Sequence, residues 1–165
     1  MTLLTLLFWL LTGGTLQVLV PAWRHMGQPA FPFLLGVVVY AAATKKRRYF
    51  VATALLGGIL EDSLSLAPLG FSTCAFLVAG GLAVLLQADF FVYRARTASW
   101  LGALCAATST GVMAGLLRLK DLVALSASDM AWRMAGSAFL GAILVPVLFG
   151  LMRGLERRLG IREET

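Results

Sequence analysis

A chain of 165 residues that is 59% hydrophobic and 13% charged, with a mean hydropathy of +0.86, lies outside the range of soluble globular domains. Its formal net charge of +6 would suit a nucleic-acid binder. However, the basic residues cluster just outside apolar runs, where they set orientation and meet anionic headgroups, and no recognition motif accompanies them. What is left is an all-α integral membrane protein, one polytopic domain over residues 1–165 with no room for a separate soluble domain.

The chain opens directly on an apolar run with no basic leader and no small-residue cleavage site, so a retained first helix is expected over about 3–20. Pro21 ends it, and a loop with Trp23, Arg24 and His25 follows. The second helix, 29–44, starts at Pro29 or Pro32, where proline suits a first turn, and stops at Lys45-Lys46-Arg47-Arg48. The third is expected over 49–67, the fourth over 69–87, the fifth over 98–117 and the sixth over 131–152, before a charged tail. A crossing takes about 20 helical residues, so this is a six-transmembrane-helix bundle. With the N-terminus inside, ten lysines and arginines fall on inner segments and four (Arg24, Arg118, Lys120, Arg133) on outer ones. That asymmetry puts both termini in the cytoplasm.

The third helix carries the most informative stretch, Gly57-Gly58-Ile59-Leu60-Glu61-Asp62 with Pro68-Leu69-Gly70 after it. An ionisable group at membrane depth is expensive and is by default a functional hypothesis. Two readings stand. If the helix continues to Ala67, Asp62 is embedded roughly 9 Å inside its outer end, and Gly58, four residues earlier on the same face, lets a neighbouring backbone come close. If it stops at Leu60, both acids sit in a wet loop. An embedded Asp62 needs a partner, and Arg24 and His25 in the first outer loop are the nearest basic candidates by topology. The two acids cannot act as a general acid/base pair, because successive helical side chains point about 100° apart.

Small residues four apart mark the fifth helix, Ala103, Ala107, Gly111 and Gly115, with similar rows at Ala75, Ala79 and Ala83 and at Ser137 and Gly141. In lipid, close packing over small residues joins helices, within one chain or to a partner. Lys45 to Arg48 reads as a topology determinant and lipid anchor, and the tail from Arg153 to Arg162 as a helix end in the headgroups. Cys74 and Cys105 lack ligand spacing and read as apolar filler. No nucleophile elbow, zinc helix, phosphate loop or paired-cysteine motif occurs, so neither an enzyme nor a metal or cofactor is expected.

The glycine-then-aspartate segment Gly57 to Asp62, the proline-led segment Pro29 to Tyr40 and the Pro68-Leu69-Gly70 continuation resemble the rod shape-determining MreD family. The resemblance implies a non-enzymatic membrane scaffold of the bacterial wall-elongation machinery that helps maintain cell shape. Its implied partners are MreC, with a single membrane helix, and a wider complex with MreB, RodA and a class B penicillin-binding transpeptidase. It also implies a fold similar to the substrate-binding subunits of energy-coupling-factor transporters. Asp62 corresponds to the family's aspartate, framed by Gly58, Pro68 and Gly70, and Glu61 beside it departs from the pattern. The alternative from another class is a substrate-binding subunit of a vitamin or micronutrient transporter, with Glu61, Asp62, Arg24 and Trp23 lining an outward pocket.

Overall fold

A computed structural model describes residues 2–19, 32–65, 68–87, 95–120 and 126–158. Among them are six α-helices and no strand: α1 Thr2–Leu19, α2 Phe33–Thr44, α3 Arg47–Leu64, α4 Phe71–Gln87, α5 Ala95–Leu119 and α6 Ala127–Arg158. Pro21, Trp23, Arg24, His25 and Pro29 lie outside the described residues.

The bundle is arranged around α2. Every residue from Leu34 to Ala43 is buried, and α2 packs against each of the other five helices. Its sequence explains this position: a helix apolar on all sides has no face to give to water and is buried on every side. Pro32 starts it, accepting the Gly36 N–H at 3.0 Å. Its 12 residues span roughly 18 Å, well short of an apolar layer of about 30 Å.

Two helices are long and apolar enough to cross a membrane, over Arg96–Leu119 and Ala127–Arg158. Those over Leu3–Leu19, Phe33–Thr44 and Phe71–Leu86 are apolar but shorter. The surface agrees with a lipid environment. Leu4, Leu11, Leu19, Val51, Leu55, Ile59, Ile143 and Leu151 are all exposed, a density of outward apolar side chains that water does not tolerate. Helix α6 reaches Arg158, six residues beyond the end expected from hydropathy, because the tail has a packing partner described below. Helix α3 begins at Arg47, inside the basic block.

The α5–α6 seam shows what small residues do. Gly102 and Gly141 face each other so closely that a Cβ on either would strike the other's carbonyl, and Ala106 and Val145 complete the contact. The row Ala75, Ala79 and Ala83 on α4 is buried as well. The stripe Ala103, Ala107, Gly111 and Gly115 lies one position round from the α5 seam. Ala103 and Ala107 are half-buried, Gly111 meets Met134 of α6, and no described residue lies within 4 Å of where a Cβ on Gly115 would sit.

Candidate functional site: two acids at one end of the bundle, a buried ion pair at the other

Glu61 and Asp62 occupy the last turn of α3, and the 100° step between them sends each to a different neighbour. Asp62 faces α4 and is 3% exposed. Its Oδ2 accepts the Gly70 N–H at 2.6 Å and its Oδ1 the Ser72 N–H at 3.0 Å. These groups lie at the start of α4, where N–H donors have no intrahelical acceptor and the helix dipole favours negative charge. The aspartate therefore caps the next helix across the turn. Gly70 adopts φ +98, a left-handed conformation in which glycine carries no steric penalty, and its carbonyl accepts the Cys74 N–H at 3.0 Å. One turn below Asp62, Gly58 lies against the backbone of Thr73 with no room for a Cβ. Glycine proximity and aspartate capping are thus one device, since α4 must approach α3 this closely for the carboxylate to reach its amides. Pro68 is exposed and accepts the Phe71 N–H at 3.3 Å.

Both Asp62 oxygens are committed to the turn. Replacing Asp62 by Asn puts an N–H₂ where an acceptor is needed and removes the charge from two hydrogen bonds. We expect a loss of about 1.5–3 kcal/mol, the worth of a charge-assisted bond, seen as a lower Tm of purified protein.

Glu61 faces α1, where Gln17 Nε2 donates at 2.7 Å to each carboxylate oxygen. No cation accompanies it among the described residues, and Gln17 Oε1 is buried with no hydrogen-bond partner. Glu61 is only half-buried, so it keeps an open side with unmet acceptor capacity. Sequence reasoning passed over Gln17, although it is the one amide in α1 and lies near the end that must pack beside Glu61. Arg24 lies outside the described residues.

The opposite end holds a site that sequence reasoning missed. Lys45, in the α2–α3 turn, pairs with Glu156 of α6, Nζ to Oε1 at 2.8 Å and to Oε2 at 2.9 Å. The Tyr40 hydroxyl donates to the same Oε2 at 2.8 Å. The two charged side chains are 2% and 5% exposed, so Lys45 is not the solvated lipid anchor expected of it. Tyr40 is fixed in turn by Phe149, edge to face at 5.0 Å. The signal that could have revealed the pair is Glu156 itself, a lone acid among arginines at the helical spacing that follows Phe149 and Met152. Among the described residues no three His, Cys, Asp or Glu side chains come together to hold a metal ion.

The family model of the rod shape-determining protein MreD matches residues 1–155 of the chain. No curated protein and no solved structure gives a significant match.

Proposed function

The chain belongs to the rod shape-determining MreD family, and from that premise we propose that it is a six-span, non-enzymatic scaffold that binds the membrane helix of MreC within the wall-elongation complex. Membership of the family gives it a role in rod-shape determination, and the match over residues 1–155 carries the reading. The finer assignments are part of the proposal: MreC as direct partner, MreB, RodA and a class B transpeptidase in the wider assembly, both termini in the cytoplasm, and a likeness to energy-coupling-factor binding subunits. The charge distribution supports the orientation. The Lys45 end has Lys45, Lys46, Arg47, Arg48, Arg96, Arg153, Arg157 and Arg158 among its described residues, the Glu61 end only Arg118, Lys120 and Arg133, an asymmetry that favours the former as the cytoplasmic end.

Two features support a helix partner. Glu61 presents a half-open carboxylate on the α1–α3 face, where a donor from another helix would complete its hydrogen bonds. Gly115 on α5 leaves a backbone surface open to close approach. Asp62 serves the contact indirectly, by holding the α3–α4 corner that presents Glu61.

Co-purification of tagged protein with MreC is the test. Gly115→Leu meets no described neighbour and is expected to keep the wild-type Tm, whereas Glu61→Gln gives up one of the two Gln17 contacts and should lower it slightly; MreC recovery is expected to fall at least threefold in one of them. Unchanged recovery in both would remove these two surfaces from the contact. Absence of MreC with the wild type, and recovery of ATPase subunits in its place, would move the assignment to the transporter-subunit alternative.

A further inference from the structure

We infer that the partner of this chain brings a cationic side chain, a guanidinium or an ammonium group, to the Glu61–Gln17 pair at the α1–α3 seam. This rests on the scaffold reading above and names the chemistry that one of its two surfaces requires.

Gly14 of α1 lies so near α3 that a Cβ there would touch the side-chain tips of Leu60 and Leu64. One turn further along α1, Gln17 meets Glu61, and its Nε2 donates to both carboxylate oxygens at 2.7 Å. An amide has two ends. With the nitrogen spent on the carboxylate, Gln17 Oε1 is left buried and no hydrogen bond reaches it. Turning the amide over gives nothing, because it sets oxygen against oxygen and strands the N–H₂ group instead. A carboxylate beside one amide therefore leaves one end short, and the missing group is a donor.

A neutral donor would leave the charge unanswered. Apolar side chains flank the pair, with Ile59 and Leu64 exposed on α3 and Leu16 and Val18 exposed on α1, and a negative charge in such surroundings calls for a positive one. No described cation pairs with Glu61. Helix α1 carries no charged residue, and the arginines of α3 stand at its opposite end. Arg118, Lys120 and Arg133 lie on or beside α5 and α6, and neither of those helices contacts α1 or α3. The adjacent charge, Asp62, has the same sign and is committed to α4. A hydroxyl offers one proton and an amide no charge. A guanidinium or ammonium group offers charge together with several N–H donors, enough for a Glu61 oxygen and Gln17 Oε1 at once. Glu61 is half-buried, and its open side is where such a group would enter.

The test is a charge swap, read by co-purification of the tagged full chain with full-length MreC from detergent-solubilised membranes. Glu61→Gln keeps the shape and loses the charge, so recovery should fall at least threefold, and Glu61→Lys should lower it at least tenfold. Each lysine and arginine in and beside the membrane helix of MreC is then changed to glutamate. One of these changes should weaken recovery with the wild-type chain and restore it to within twofold of wild type with Glu61→Lys. Where Glu61→Lys gives no folded chain, the same cation changed to glutamine should match the loss seen with Glu61→Gln and add nothing to it. Wild-type recovery with Glu61→Gln would overturn the proposal, and a loss confined to Gly115→Leu would leave the scaffold reading standing without it. Rescue by none of the partner's cations would also overturn it. Rescue by Arg24→Glu in this chain would overturn it in favour of an internal counter-ion. Absence of MreC with the wild-type chain would overturn the scaffold reading and this inference with it.

Discussion

Lys45→Met should be the most damaging single substitution at its end of the bundle, lowering stability by about 3–5 kcal/mol, because it leaves a charged carboxylate buried without its cation. Glu156 is 5% exposed at its side chain, and Tyr40 is its only other hydrogen-bond partner among the described residues. One neutral donor cannot replace an ammonium group at 2.8 Å. The prediction has a built-in control. Removing both charges, as Lys45→Met/Glu156→Leu, should recover most of the loss, since replacing a buried pair by apolar groups of similar volume is often neutral. Thermal unfolding of the single and double variants in the same detergent checks it. A double variant no more stable than Lys45→Met would mean that the site depends on the pair's specific geometry rather than on avoiding a lone buried charge.

Gly58→Leu should be at least as severe, with little folded protein recovered. The added side chain would have to enter the backbone of Thr73, which cannot rotate away as a side-chain tip could. Helix α4 would move off α3, and Asp62 would lose both amides it caps. Overpacking alone costs about 1–3 kcal/mol, and the buried aspartate left without donors adds a comparable amount. Coupling between the two positions gives a sharper measurement with milder changes. Gly58→Ala and Asp62→Asn disrupt the same α3–α4 contact, so their combined effect on Tm should be clearly smaller than the sum of the two. Additive effects would show that the glycine and the aspartate stabilise different things.

Composition and hydropathy made the helical membrane character legible, because apolar runs separated by basic clusters have few other solutions. Gly58 and Asp62 stood out because a turn of sequence linked them, and the Gly70 backbone amide that Asp62 accepts lies only eight residues on. Lys45 was misjudged for the opposite reason. Its partner lies 111 residues away, and a lysine in a run of four cations looks solvated until the fold supplies a carboxylate. The seam at Gly102 and Gly141 was blurred by the same cause. Small residues occur on two neighbouring faces of α5, and only the position of α6 decides which face is filled. Gln17 and Glu61 are likewise brought together by helix pairing alone, across 44 residues.

The central position of α2 also bears on how the chain is made. It is the second helix to leave the ribosome, yet the surfaces that enclose it include the last one. Gly36 packs against Leu148, and Tyr40 waits for Glu156. Until those residues are synthesised, α2 is a helix of 12 residues with an unfilled side, too short to rest alone across a bilayer. Completion of the final helix therefore closes the whole protein at once.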